Sequence, residues 1–86
     1  MLMSFSDHAW ERARERGIRP STMRFILDHY DQKSHARGGC HCVRITNQWL
    51  VSLTKRGFSN SEIERARGVL LIVRLVDGIV VTVIRR

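Results

Sequence analysis

Eighty-six residues, 43% of them apolar and 27% charged, suffice for one hydrophobic core and are too few for two, which excludes a multidomain protein and a chain disordered along its body. Fifteen Lys and Arg against 8 Asp and Glu give a net charge of +7, and Arg outnumbers Lys thirteen to two. That balance favours a phosphate-bearing partner over a merely soluble surface, because the planar guanidinium grips phosphate through two bonds and stacks on bases.

The first element is a helix from Ser6 to Gly17, which Ser6 or Asp7 can cap and Gly17 can close in a left-handed conformation. Ala9, Trp10, Ala13 and Gly17 share one side, and His8, Arg12 and Arg16 recur every fourth residue on an adjacent ridge. A second helix begins at Pro20 and carries Met23, Ile26, Leu27 and Tyr30 as a buried stripe, so the two form a helical hairpin. Asp31 to Gly39 is polar, ends in Gly38-Gly39, and reads as a loop. A first strand follows from Cys40 to Thr46, with His41, Val43 and Ile45 on one face and Cys40, Cys42 and Arg44 on the other.

From Asn47 to Gly57 both a strand alternation and a helical stripe of Trp49, Leu50 and Leu53 can be drawn, and we take the helix. Ser59-Asn60-Ser61-Glu62 matches a capping box and opens a short helix to about Arg67. Two β-branched runs, Val69 to Val76 and Ile79 to Ile84, joined by Asp77-Gly78, predict a hairpin with a two-residue turn. That register sets Val76 opposite Ile79, Arg74 opposite Val81 and Val73 opposite Thr82. Both faces are then largely apolar, so either the helix pairs cover opposite faces or a second copy of the chain covers one, as a homodimer. No apolar run reaches the roughly 20 residues of a membrane-crossing helix. Met1 to Phe5 shows neither the basic start nor the apolar core of an export signal, so one domain spanning 1–86 in the cytoplasm is expected.

His8-Ala9-Trp10-Glu11-Arg12-Ala13-Arg14-Glu15-Arg16-Gly17-Ile18 resembles the HAxxRxxxRGI opening of a widespread bacterial family of uncharacterised small domains within the RelE and ParE-like toxin superfamily. Val76-Asp77-Gly78-Ile79-Val80-Val81-Thr82-Val83-Ile84-Arg85 is similar to that family's closing strand, and Arg37-Gly38-Gly39 before a strand also fits. The resemblance implies an α+β, RelE-like fold: an N-terminal helical hairpin on a small antiparallel sheet, with one or two short helices after the first strand. Superfamily members include ribonucleases that cleave ribosome-bound messenger RNA, inhibitors of DNA gyrase, and proteins without demonstrated activity, so the fold alone does not choose among them. The matching positions are His8, Arg12, Arg16, Gly17 and Thr82. The chain departs from RelE-type nucleases in ending on Arg85-Arg86, with no Lys and Arg cluster beside a C-terminal Tyr or His.

Metal-independent RNA cleavage needs a base for the 2′-hydroxyl, an acid for the leaving oxygen and cations around the phosphate. His8, Arg12 and Arg16 supply those types as the catalytic candidates; pairing of the arginines with Glu11 or Glu15 is the plainer account. Arg12, Arg16, Arg37, His35 and Thr82 are the candidates for binding RNA phosphate. Cys40-His41-Cys42 is not a metal site on spacing, since alternation sends His41 away from both thiols, and no cofactor is called for. Trp10, Trp49, Tyr30 and Phe58 could stack on bases but are assigned to the core, and Arg74 to a salt bridge or the strand's exposed end. The expected function is RNA binding, as a toxin-type endoribonuclease neutralised by an acidic antitoxin; a non-enzymatic interaction or dimerisation module is the alternative. DNA binding is disfavoured because Ser21 to Tyr30 offers few base-reading side chains.

Overall fold

The computed structural model describes residues 5–86, so the segment Met1 to Ser4, most of the stretch read above for an export signal, lies outside it. Helix α1 (Asp7–Glu15) starts at Ser6, whose Oγ accepts from the Ala9 N–H. The same serine ties the helix to the sheet, since its N–H donates to the Val80 carbonyl at 2.9 Å and its hydroxyl to that of Val81 at 3.1 Å. Helix α2 (Pro20–His29) follows with Pro20 in its first turn, where the missing N–H costs nothing. The chain continues through β1 (Gln32–Ala36), β2 (Cys40–Arg44), α3 (Asn47–Lys55), α4 (Asn60–Ala66), β3 (Val69–Arg74) and β4 (Val80–Arg85). Thr46 and Ser59 cap α3 and α4 through their hydroxyls, accepting from Trp49 N–H and Glu62 N–H.

The four strands form one antiparallel sheet in the order β1-β2-β3-β4. Strand β1 corrects the expectation of a loop over Asp31 to Gly39. Gln-Lys-Ser-His-Ala is polar on both sides because the strand sits at the sheet edge with little to bury, so it lacks the alternation by which strands are recognised. As a result, the two inserted helices follow the second strand and not the first.

The hairpin register also differs from expectation. Val73 pairs with Val80 and Ile72 with Thr82, with a bulge between, and the chain reverses over four residues, Leu75 to Gly78. The Asp77 side chain explains the longer turn. Its carboxylate accepts from the Arg74 guanidinium at 2.6 Å and from the Ile79 N–H, a backbone donor that a tight two-residue turn would have left to the ladder. Leu75 and Val76 are thereby released to solvent, Val76 with 86% of its surface exposed.

All four helices contribute to a single core against one face of the sheet. Ala9, Ala13, Met23, Ile26, Leu50, Leu53, Ile63 and Ala66 meet Val43, Val69, Leu71, Val80 and Val83 there. Each fully buried aliphatic side chain such as Leu71 or Ile26 contributes about 1.5–3 kcal/mol relative to exposure. The helix pairs do not take opposite faces, the first of the two coverings expected. The outer face carries Ser34, Cys42, Ile72 and Thr82 in one row across the strands, with Leu70 and Ile84 beside them. Two aromatic assignments are also corrected. Trp10 and Tyr30 are 38% and 40% exposed, whereas Trp49 and Phe58 pack against the core. Among the described residues no helix is long and apolar enough to cross a membrane.

Candidate nucleic-acid interface

The spacing of His8, Arg12 and Arg16 brings them onto one flank of α1, as four-residue repeats on a helix must. Arg12 sits at the centre: its Nε donates to His8 Nε2 at 3.4 Å and its Nη1 to Glu15 Oε1 at 3.3 Å. The lone pair that His8 would need as a general base at that nitrogen therefore faces a guanidinium, and Arg12 already holds a carboxylate. Asp7, Glu11 and Glu15 equal Arg12, Arg14 and Arg16 in number, so the helix is close to neutral despite its arginines.

The remaining sequence-derived candidates are dispersed. Helix α1 packs on β4, at one edge of the sheet, while His35 lies on β1 at the other, three inter-strand spacings away, about 14 Å. Arg37 lies in the turn after β1, and Thr82 points to the outer face, away from all four helices. The Gly39 carbonyl accepts from the Leu75 N–H at 3.0 Å, which joins the Arg37 turn to the tip of the other hairpin. Close by, Arg74 donates to Asp77 through both Nε and Nη2. Hydrogen bonding between the two side chains is the main cause that holds the Asp77 carboxyl below its ordinary value and raises that of Arg74, and their opposite charges act in the same directions.

The clearest concentration of cations is at the opposite end of the sheet. Arg44, Arg67 and Arg86 line one pocket of about 180 Å³ together with Asn47. Arg67 is held in place, its Nη1 donating to Asn47 Oδ1 at 2.9 Å and its Nε and Nη2 to the Glu64 carboxylate at 3.2 Å. Arg44 donates to Gln32 across the β1–β2 pair. Arg86 is located by its backbone, whose N–H donates to the Gly68 carbonyl at 2.8 Å. Gly68 has φ +75°, and a Cβ there would lie 2.9 Å from the backbone oxygen of Arg86, so only glycine permits this approach. Asp31 accepts from both the backbone N–H and the hydroxyl of Thr46, fixing the entry to α3 beside Asn47.

Sequence reasoning missed this pocket because its arginines come from three separate parts of the chain and meet only through the pairing of β2, β3 and β4. The outward alternation of Arg44 was the one available sign. Among the described residues, ion pairs occupy Arg12, Arg67 and Arg74 alone, leaving ten arginines and both lysines without a carboxylate partner. Among the same residues no three His, Cys, Asp or Glu side chains are grouped so as to hold a metal ion. No protein-family model, curated protein or solved structure matches the chain.

Proposed function

We propose that the chain is an RNA-binding domain of RelE-like type, acting in the cytoplasm, whose main phosphate contact is the pocket of Arg44, Arg67 and Arg86. The observation that carries this reading is the meeting of three arginines, two of them without a carboxylate partner among the described residues, and Asn47 around one pocket at the end of a sheet whose strands contain no carboxylate. Guanidinium groups in a fixed fork suit phosphodiester oxygens, and the outer row of Ser34, Cys42 and Thr82 offers small polar side chains over which a strand can lie. Arg37, at the far end of the same hairpin, supplies a further cation. An acidic antitoxin segment would complement the same surface.

The test is direct titration of a single-stranded RNA at several salt concentrations. The expected slope of log K against log salt is about −2, for three phosphates on a single strand. The reading fails if affinity is insensitive to salt or unchanged by Arg44→Ala with Arg86→Ala. Cleavage by the α1 ridge is the enzymatic extension of this function. It requires that metal-free incubation produce new RNA ends and that His8→Ala abolish them while binding persists.

A second reading, a dimerisation module, is favoured by the apolar side chains Ile72, half-buried, and Ile84, exposed, on the face that no helix covers. A mass of two chains in solution, lost on Ile72→Lys, would support it.

A further inference from the structure

We infer that a hollow beside Trp10 binds a nucleotide, with a planar base against the indole and its phosphate between Arg14 and Arg19. This goes beyond the phosphate pocket proposed above, since its residues come from α1 and the connection to α2. It is also distinct from the ridge of His8 and Arg12. At 100° per residue, the ridge of Trp10 and Arg14 lies about 160° around α1 from that of His8 and Arg12.

The hollow measures about 360 Å³ and is floored by small and apolar groups, Ala13, Gly17, Ile18 and Pro20. That volume lies within the ordinary range of small-ligand sites, about 300–1,000 Å³. Trp10 forms its wall. The indole is steadied by Phe5, whose ring meets it edge to face at 5.0 Å and 62°, yet 38% of the residue stays in contact with solvent. A tryptophan braced by one aromatic neighbour and open elsewhere presents an indole surface on which a planar group can stack. The other tryptophan provides the contrast: Trp49 packs against the core and already carries Arg56 over its ring at 4.8 Å.

Charge selects the class of ligand. The hollow is lined by two arginines and no carboxylate, and neither arginine is ion-paired among the described residues. A cationic ligand of the kind aromatic cages accept would be repelled, and a purely apolar one would leave two guanidinium groups unanswered. A planar aromatic group bearing a phosphate satisfies wall, floor and rim together. Helix α2 begins at Pro20, and its cap residue, Arg19, makes no side-chain cap bond, so the positive end of that helix adds to the potential at the rim.

The shared chemistry is a base with its phosphate, either free or within a strand. The chain has two tryptophans, so Trp49→Phe leaves Trp10 as the sole indole reporter. Adenosine monophosphate, adenosine, inorganic phosphate and a short oligoadenylate are titrated against its fluorescence. Quenching by the monophosphate or the oligonucleotide, with adenosine weaker than the monophosphate, is the expected result. The tighter of the first two identifies a free nucleotide or a nucleotide in a strand as the occupant. Trp10→Leu in the otherwise native chain should weaken the tighter ligand roughly tenfold at unchanged Tm. Because that change also removes the packing against Phe5, Arg14→Glu with Arg19→Glu provides a second variant, expected to abolish quenching while the indole remains. No quenching by any nucleotide, or unchanged affinity in Trp10→Leu and in the double arginine variant, overturns the site. Oligonucleotide affinity that ignores Trp10 but falls on Arg44→Ala with Arg86→Ala overturns this inference and leaves the RNA-binding function standing. Affinity that depends on Trp10, Arg14 and Arg19 but ignores Arg44 and Arg86 supports this inference and overturns the pocket of Arg44, Arg67 and Arg86 as the main phosphate contact.

Discussion

Helix α1 and the far end of the sheet each present three arginines, and they differ in what surrounds them. On α1 the arginines alternate with Asp7, Glu11 and Glu15 on one element, and Arg12 is taken up by Glu15 within its own helix. At the sheet end, Arg44, Arg67 and Arg86 come from distant parts of the chain, and among the described residues only Arg67 of the three has a carboxylate partner. Local arginines are neutralised by local carboxylates at little cost, since neighbours one turn apart meet without tertiary help. Cations gathered by tertiary pairing must be held together by the fold, and their mutual repulsion is relieved when a polyanion arrives. The number of arginines in a segment is therefore a poorer guide to a binding surface than the absence of nearby acids.

One glycine serves each region, and the two respond differently to replacement. Gly68→Ala places a Cβ against the backbone oxygen of Arg86 in a left-handed backbone, and about 1–3 kcal/mol of stability should be lost, together with RNA affinity, as read by denaturant unfolding and titration. Gly17→Ala has the same backbone sign, with φ +67°, but meets nothing within 4 Å, and should cost only the conformational part, about 1–2 kcal/mol, with affinity retained. Next in size, Arg44→Ala with Arg86→Ala should raise the Kd for single-stranded RNA by about tenfold or more and flatten its salt dependence by about 0.7 of a unit of slope for each phosphate no longer neutralised. Arg12→Ala and Arg16→Ala should change stability by no more than about 0.5 kcal/mol and affinity only slightly, because exposed pairs are weak. A larger loss of affinity from these two than from the pocket pair would invert the comparison.

The smallest effect is expected at the hairpin tip. Arg74 lowers the Asp77 carboxyl below its ordinary 3.8, so the folded value lies under the unfolded one. The stabilisation is therefore complete above that ordinary value and disappears as pH falls through the depressed folded value. Wild type should exceed Asp77→Asn slightly in Tm near neutrality, and the two should converge in acid.

Most helices were legible because their signals are local: Ser6, Pro20 and Ser59 mark starts that any context would honour, and Leu50 and Leu53 keep helical spacing from Asn47 to Lys55. The α+β class and the antiparallel final hairpin followed from the same kind of signal. Strand β1 was not legible, since Gln32 to Ala36 buries no face. The hairpin turn was misjudged because Asp77-Gly78 suits a tight reversal by backbone preference, while the Asp77 carboxylate, through Arg74, selects a wider one. Trp10 reads as a core residue on the side of α1 shared with Ala9, Ala13 and Gly17, but it lies 100° of rotation from Ala9, enough to carry a large ring from the floor of a helix to its flank. The arginine pocket depends on a register between strands that no local pattern specifies.

Strand β1 has a consequence for the molecule's breathing. It has one partner, five residues, and almost no apolar surface beneath it, and a glycine pair sits at its only tight connection to the sheet. Its amides should exchange with deuterium first among the strands, through local detachment, while those of β3, paired on both sides, wait for global unfolding. Since Arg44 is anchored to Gln32 of that strand, one lip of the arginine pocket would open and close with the detachment, at a rate set by the least stable part of the fold.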